Sequence, residues 1–298
     1  MELIDGVEFI TVDKRAGLAA RRDLRARLRG RRFDVLLHMQ LSLRASLVSS
    51  VVRAPIRLGF DRARARELQW LFTNARIAPR TREHVLDSFL GFLEALGIRE
   101  RALRWDIPLT PTALGYAQTL IPDARPTLVI SPCSTHSRRN WRPEAYAAVA
   151  DHAVRRHGMR VILAGGPTAI ERDAGAAIEQ SAHVPLVNQI GRDTLPQMLA
   201  LLSRATALLT PDSGPAHMAT MVGTPVIGLY AATNPERSGP YFSRRWCVNA
   251  YAQAAMRFRG RPAEKLPWTE KIEEPGVMDL IEVVQVTAKL DELLAYET

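Results

Sequence analysis

The segment 211–219 has residue types that could do chemistry, because a carboxylate, a hydroxyl and an imidazole lie close together in it. They belong to Asp212, Ser213 and His217. The apolar run 205–210 before it predicts a buried strand, and the pattern over 216–222 predicts a helix that Asp212 or Ser213 can cap, with Pro215 in its first turn. A helix that follows a strand in this way leaves free N–H groups and a positive dipole end at the carboxyl edge of a sheet, where phosphorylated ligands bind. The segment predicts an anion-binding turn, and a capped helix with a half-buried histidine is the alternative.

Two more polar loops follow predicted strands. Two hydroxyls and a guanidinium, which suit a phosphate, come after the strand predicted at 127–131. They are those of Ser134, Thr135 and Arg139. The strand predicted at 160–164 leads into Gly165-Gly166 and then Glu171, whose carboxylate can accept from ribose hydroxyls. Each residue alone is an ordinary turn, cap or surface residue. Because loops after parallel strands leave from one edge of the sheet, their coincidence predicts a shared ligand site.

The elements that must position these loops alternate regularly after residue 126. Helices are predicted at 143–157, from about 168 to 180, and at 194–203, and strands near 185–188 and at 226–230. Such alternation predicts βαβ units and a parallel sheet. The earlier part predicts an amphipathic basic helix at 18–32, strands at 33–39 and 56–60, and helices at 42–53 and 83–96. Four prolines between 105 and 126 predict a boundary between domains 1–115 and 116–298, the second closed by a C-terminal helix.

Composition excludes several classes of protein. The 298 residues are 47% hydrophobic and 24% charged, as in an ordinary soluble globular protein. No apolar run approaches the roughly 20 residues that span a bilayer, and Met1–Asp5 is acidic and unlike a signal peptide. Cys133 and Cys247 are too few for a disulfide framework or a zinc site, which favours a reducing, cytoplasmic setting.

The positive charge lies in the first third of the chain. Residues 1–104 hold 21 Lys and Arg against 12 Asp and Glu, which accounts for the whole net charge of +9. Nearly all of these cations are arginines, and arginine favours bidentate contact with phosphate and carboxylate. This region therefore predicts an anionic partner: a phosphorylated lipid, an anionic membrane surface or nucleic acid. A solvated arginine-rich helix over Arg21–Arg32 is the alternative.

Several known catalytic motifs are missing from the sequence. It contains no Walker loop, no His-Glu-x-x-His, no Gly-x-Ser-x-Gly and no Asp-x-Asp metal pair. If the ligand is a nucleotide sugar, the mechanism is expected to be metal-free, with the helix dipole and cationic groups stabilising charge on the departing diphosphate.

Together these motifs resemble the family 9 glycosyltransferases, the ADP-heptose:lipopolysaccharide heptosyltransferases. The matching blocks of the second half are Ser131–Trp141 with Pro143-Glu144, Val161–Gly166, Asp212–His217 with Gly223-Thr224-Pro225, Thr233–Arg237, and Leu266-Pro267-Trp268 followed by Met278. The first half agrees more loosely, through Phe33–Gln40 with Ser42-Leu43-Arg44, Ile56–Asp61 and His84. The block Asp212–His217 is the most specific part.

The resemblance implies an α/β fold of the GT-B type: two Rossmann-like domains with parallel sheets, the donor bound by the C-terminal one. It implies inverting, metal-independent transfer of heptose from ADP-heptose to the inner core of lipopolysaccharide, without a cofactor. The implied partners are the nucleotide sugar, the anionic lipid A-core acceptor and the membrane surface, but not nucleic acid, and the implied location is the cytoplasmic, inner face of the inner membrane.

The resemblance also implies individual donor contacts. Asp212 would bind the heptose, while Ser213, Gly214 and His217 would line its diphosphate. Ser134, Thr135 and Arg139 would hold phosphate, and Glu171 the ribose or adenine side. Family members often carry lysine where this chain has Arg139.

One part of the family pattern is not found. Family members begin with a strand, a Ser/Gly-rich loop ending in Gly-Asp, and a helix, and that aspartate is the expected general base. We expect this chain to begin after that unit, so that its N-terminal domain lacks the first βα unit and the catalytic base lies in the missing segment. Two alternatives stay open: a degenerate relative that binds a nucleotide sugar without transfer, and a basic protein that associates with nucleic acid.

Overall fold

The computed structural model describes residues 6–13, 15 and 17–297, so the acidic segment Met1–Asp5 lies outside it. The chain divides into two compact units, Met1–Leu103 and Arg104–Thr298.

The first unit contains a small parallel sheet. Its strands are β1 (Val35–Leu37), β2 (Ile56–Gly59) and β3 (Ala75–Arg76), in the order β1-β2-β3. Its helices are α1 (Gly17–Arg27), α2 (Leu43–Ser49) and α3 (Val85–Ala95). Of these elements, β3 is too short to have been predicted from the sequence.

The basic helix is shorter than predicted. Helix α1 ends at Arg27 rather than at residue 32, and Gly30 beyond it adopts a positive φ of 79°, which continues no helix. The predicted apolar face is also only partly correct. Leu24 and Leu28 are buried, but Leu18 is 72% exposed, because it lies at the first turn, beyond the reach of the small core.

The core of the first unit is small and contains a buried amide. Phe60 and Phe92 meet edge to face at 5.1 Å between ring centroids, beside Leu58 and Ile77. The buried Gln69 satisfies its amide with three backbone groups: its Nε2 donates to the carbonyls of His38 (2.8 Å) and Gln40 (2.9 Å), and its Oε1 accepts from the N–H of Phe60 (3.2 Å). A fully paired amide fixes the chain around it without a desolvation penalty.

The second unit is built on a six-stranded parallel sheet. Its strands are β4 (Thr127–Ile130), β5 (Arg160–Leu163), β6 (Val187–Asn188), β7 (Ala207–Pro211), β8 (Val226–Tyr230) and β9 (Val248–Asn249). Its helices are α4 (Pro111–Leu120), α5 (Pro143–His157), α6 (Ala169–Ser181), α7 (Leu195–Arg204), α8 (Gly214–Met221), α9 (Pro235–Ser238), α10 (Tyr251–Arg259) and α11 (Val283–Glu297). The predictions of a parallel α/β sheet and of a C-terminal helix are confirmed.

The four central strands of this sheet, β5, β4, β7 and β8, are buried on both faces. Alternate residues of β4 pack on opposite sides: Leu128 and Ile130 join the core that contains Tyr146, whereas Val129 joins the core that contains Leu201. Sheets covered by helices on both faces need such continuous apolar strands. This explains why the four central strands could be predicted from the sequence, whereas the two-residue edge strand β9 was not predicted.

The strand order is β6-β5-β4-β7-β8-β9. Numbered from β4, this is the doubly wound order 3-2-1-4-5-6. The strands that follow β4 in the chain are added first on one side of it and then, from β7 onward, on the other side, so the strand order reverses between β4 and β7. At such a reversal the loops after the two central strands lead to helices on opposite faces and leave a crevice between them. The loops that carry Arg139 and Asp212 leave from these two strands.

Helix α4 occupies the proline-rich stretch that was predicted to separate the domains. Thr110 caps it through a 3.3 Å bond from the N–H of Ala113, and Pro111 fits its first turn. Its small residues Ala113 and Ala117 pack against Ala200 of α7. The predicted boundary at 115/116 falls inside this helix, and the compact units divide earlier, between Leu103 and Arg104.

Helices α5 and α11 are joined by a cluster of ionisable groups. Asp291 Oδ1 lies 2.7 Å from His152 Nε2 and 2.6 Å from His157 Nε2. Burial alone would raise the pKa of Asp291, but these hydrogen bonds and the charge of Arg156 hold it below its ordinary value. The cluster thus fastens the C-terminal helix α11 to helix α5.

Within the described part of the chain, no helix combines the length and the apolar character that a membrane span requires.

Candidate functional site

A single cavity of about 730 Å³ lies at the carboxyl edge of the large sheet. All eight residues predicted to contact the donor line it: Ser134, Thr135, Arg139, Glu171, Asp212, Ser213, Gly214 and His217. The three loops therefore meet at one place, as expected of loops that leave neighbouring parallel strands. The role of these residues in binding a donor stays a prediction.

Arg139 contributes a guanidinium to the wall of this cavity. Its Nε and Nη2 both donate to Glu273 Oε1, at 2.9 and 2.7 Å, and its Nη1 donates to Asp212 Oδ2 at 3.3 Å. The side chains of Arg139 and Asp212 are only 11% and 13% exposed. The guanidinium is thus held in one orientation by two carboxylates. Its bond to Asp212 joins the loop after β4 to the loop after β7.

Glu273 was not identified from the sequence. Burial alone would raise its pKa, but the hydrogen bond and charge of Arg139, with His136 and Lys271, hold it below its ordinary value. The carboxylate therefore stays ionised and balances the arginine. The sequence signal was weak, since Glu273 lies in an acidic stretch that reads as a solvated loop.

The N-terminus of helix α8 is open to the cavity. Ser213 occupies the capping position, but its side chain makes no capping hydrogen bond, and its hydroxyl instead lies 2.8 Å from that of Thr210. Ser213 thus occupies the predicted capping position, but neither predicted side chain caps the helix, because the Ser213 hydroxyl pairs with Thr210 and the Asp212 carboxylate binds Arg139. The N–H groups of the first turn stay available to an anion.

His217 projects from the first turn of α8 into the cavity. The surrounding protein removes water from its ring and lowers the pKa below 6.5, while the Asp212 carboxylate acts in the opposite direction. This shift favours the neutral form of the imidazole. A neutral ring can donate one hydrogen bond to a phosphate oxygen without contributing charge.

The Gly165-Gly166 turn is organised by Glu171. One carboxylate oxygen accepts from the N–H of Gly166 at 2.7 Å, and the other from the hydroxyl of Thr168 at 2.6 Å. The Thr168 hydroxyl in turn accepts from the N–H of Glu171 at 3.3 Å and caps α6. Both oxygens of Glu171 already hold the turn, so its predicted ribose contact has to use the remaining lone pairs.

Asp193 is a second acidic residue that sequence analysis missed. It follows β6, lines the same cavity, and its buried Oδ2 has no hydrogen-bond partner among the described residues. Burial raises the pKa of this carboxyl to about 6. A hydrogen bond from the backbone N–H of Asp193 itself lowers the pKa, and the negative charge of Glu171 raises it further. A usable signal was present, because Asp193 directly precedes the helix cap Thr194, at the position that functional residues occupy after the other strands.

A smaller cavity of about 170 Å³ shares Arg139 and Asp212 with the main one. Its other walls are polar and come from the segments that follow β8 and α10. They are Thr233, Asn234, Arg237, Ser238, Thr269, Glu270 and Lys271. The Arg139–Asp212 pair therefore separates a nucleotide-sized space from a small polar one.

The chain was compared with known proteins. Residues 21–266 match the family model described as glycosyltransferase family 9 (heptosyltransferase). The chain belongs to glycosyltransferase family 9. It is 37% identical over 290 residues to the lipopolysaccharide core heptosyltransferase OpsX of Haemophilus influenzae, a match that covers 97% of this chain and 83% of that one. It is also 24% identical over 275 residues to lipopolysaccharide heptosyltransferase 3 of Escherichia coli, covering 91% and 78% of the two chains.

Solved structures of family 9 proteins share the fold. A family 9 glycosyltransferase from Veillonella parvula superposes with a TM-score of 0.76 at 21% identity, covering 97% of this chain and 83% of that one. The E. coli heptosyltransferase WaaC, solved with ADP, superposes with a TM-score of 0.66 at 19% identity, covering 93% and 78%. The predicted GT-B fold with two Rossmann-like domains is confirmed by these similarities and by the two parallel sheets.

Proposed function

We propose that this family 9 glycosyltransferase transfers heptose from ADP-heptose to the inner core of lipopolysaccharide with inversion at the anomeric carbon. The observation that carries the proposal is the single cavity that gathers Arg139, Asp212 and the N-terminus of α8 at the reversal point of the large sheet. The similarity to WaaC, whose structure contains ADP, supports the choice of nucleotide. The similarity to OpsX supports the choice of pathway.

The donor half of the reaction follows from the charges in the cavity. When the bond between sugar and diphosphate breaks, negative charge develops on the departing ADP. The Arg139 guanidinium and the first-turn N–H groups of α8 stabilise that charge, and they are in place before the reaction starts. These groups supply the positive charge without a metal ion, so we propose metal-independent transfer with no cofactor.

The sugar is expected beside the Arg139–Asp212 pair. The small polar cavity on the far side of this pair offers hydroxyl, amide and charged groups, which suit the many hydroxyls of a heptose. Asp212 is then placed to accept from a sugar hydroxyl with the lone pairs that Arg139 leaves free. This assignment makes Asp212 a sugar contact rather than a phosphate contact.

The acceptor half is proposed from the first unit. A cavity of about 560 Å³ lies between α1 and the end of α2 and is lined by Arg21, Arg22, Arg25, Arg29 and Arg53. The guanidinium of Arg21 donates to the hydroxyl of Ser50 at 3.0 Å, whereas the side chains of the other four arginines make no hydrogen bond or ion pair with another described residue. Unpaired guanidinium groups around a hollow attract phosphates. We propose that they bind the phosphorylated lipid A-core acceptor at the cytoplasmic face of the inner membrane.

The transfer proposal is tested by turnover. The protein is incubated with ADP-heptose and a core-deficient lipopolysaccharide acceptor, and ADP release is measured together with the mass of the product. Acceptor-dependent ADP release with a heptose-extended product is the expected result. ADP binding by calorimetry without any acceptor-dependent release would instead support a nucleotide-sugar-binding protein.

The arginine cavity makes a separate prediction. The double variant Arg25→Glu/Arg29→Glu is expected to raise the KM for the lipid acceptor about tenfold or more, since each basic residue near an anionic surface contributes about 1 kcal/mol. The KM for the donor should not change. The matched control is Arg76→Glu/Arg99→Glu, which makes the same charge change at exposed positions of the same unit outside this cavity. Equal effects of the two double variants would contradict a localised acceptor site.

A further inference from the structure

The unpaired oxygen of Asp193 is the starting observation. Oδ2 of this residue is buried and has no hydrogen-bond partner among the described residues, and Asp193 itself lies in the wall of the donor cavity. A buried carboxylate oxygen without a partner carries a desolvation cost that a ligand's N–H or O–H group can remove. The nearby Glu171, in contrast, already accepts two hydrogen bonds from its own turn.

The sheet order places Asp193 at the end of the cavity away from the phosphates. Across the sheet, the loops follow β6, β5, β4 and β7, so Asp193 lies three strands from the N-terminus of α8. Three strand spacings amount to roughly 14 Å. If the diphosphate lies at Arg139 and α8, the nucleoside extends across β5 and its base reaches the loop after β6.

The surroundings of Asp193 suit the flat face of a base. Ile170 and Leu195 line the same cavity and are 57% and 72% exposed, so they offer apolar surface to a ligand. Met198 lines it as well, one turn further along α7. Apolar walls with one buried acceptor form the general pattern of a small-molecule pocket in which a single polar group fixes specificity.

From this juxtaposition we infer that Asp193 is the base-specificity residue of the donor site and accepts a hydrogen bond from the exocyclic amine of adenine. The inference rests on the proposed function, because it takes the diphosphate position from it. A carboxylate oxygen pairs with an amine N–H and is repelled by a carbonyl oxygen at the same place, so bases with a carbonyl there are disfavoured. The raised pKa of Asp193 fits a group that stays desolvated until the amine arrives.

The test compares two ligands that differ only in the amine. ADP and the 5′-diphosphate of purine riboside, which has hydrogen in place of the amine, are titrated by calorimetry against wild type, Asp193→Ala and Asp193→Asn. Wild type is expected to bind ADP about tenfold or more tightly than the purine analogue, since a hydrogen bond to a charged group carries that discrimination. Asp193→Ala is expected to bind both equally, and Asp193→Asn, which keeps one acceptor oxygen, to retain part of the preference.

Two controls separate this inference from its alternatives. Asp173→Ala removes an exposed carboxylate of α6 outside the cavity and should keep the full preference for ADP, and thermal melting checks that all variants fold. Titration with 2′-deoxy-ADP tests whether a substitution at Asp193 changes recognition of the ribose instead of the base. A variant that loses discrimination against 2′-deoxy-ADP but keeps the amine preference would overturn the assignment to the base, as would equal binding of ADP and the purine analogue by wild type. Failure of wild type to bind either diphosphate would instead contradict the proposed function.

Discussion

Replacing Arg139 with leucine is expected to weaken ADP binding about a hundredfold, because hydrogen bonds to charged groups contribute about 1.5–3 kcal/mol and this guanidinium faces the proposed diphosphate. The loss includes a second effect. Asp212 and Glu273 would be left in the cavity without their shared cation, and two uncompensated carboxylates repel a phosphate. Calorimetric titration with ADP measures the change.

The neighbouring arginine provides the control. Arg138 lies in the same short turn but is exposed and does not line the cavity, so Arg138→Leu should leave ADP affinity within about twofold. Arg139→Lys is expected to fall between the two, because lysine keeps the charge but cannot bond Glu273 and Asp212 at once. If Arg138→Leu and Arg139→Leu weakened binding equally, the guanidinium of Arg139 would have no specific role.

A methyl group on Gly228 is expected to destabilise the second unit by about 3 kcal/mol, near the upper end of the usual cost of overpacking. Gly228 lies in β8, and a Cβ there would stand 2.6 Å from Tyr230 Cε2 and 2.9 Å from Cys247 Sγ. Both neighbours are buried and cannot move away without displacing the core. For Gly228→Ala we expect the melting temperature to fall by roughly 6–12 °C, measured by thermal unfolding.

Replacing Gly115 with alanine should instead raise the stability of the protein. Gly115 lies within α4 and is exposed, and nothing stands within 4 Å of a Cβ at this position. Alanine is a better helix former than glycine by about 0.5–1 kcal/mol, so Gly115→Ala should raise the melting temperature slightly. A destabilised Gly115→Ala, or an unaffected Gly228→Ala, would show that close packing does not decide the outcome.

Much of the secondary structure of the second unit could be predicted from the sequence, because it depends on residues that are close together in the chain. Helix α5 begins and ends as predicted, at Pro143 and His157, since proline suits a first turn and Gly158 ends the helix with a positive φ of 61°. The buried strands β4, β5, β7 and β8 form continuous apolar runs. Once parallel strands are recognised, the shared edge of their loops follows from geometry.

The secondary structure of the first unit was predicted less accurately from the sequence, and the reason is physical. Strands β1 and β2 lie within the segments predicted as strands, 33–39 and 56–60, whereas β3, with two residues, is too short for a period of two to stand out. Helix α1 was predicted too long, because arginine and leucine favour a helix at every position up to Gly30 and no local signal marks its end at Arg27.

The sequence alone determined the fold class, the loops at the sheet edge and the eight candidate donor contacts, because each depends on residues near one another in the chain. Only the tertiary structure decided how those contacts are paired. Glu273 lies 134 residues beyond Arg139, and no local pattern joins them. The missing partner of Asp193 likewise depends on which atoms surround its buried oxygen. Hydrogen-bond pairing and desolvation are properties of the space around an atom, and that space is filled by residues from distant parts of the chain.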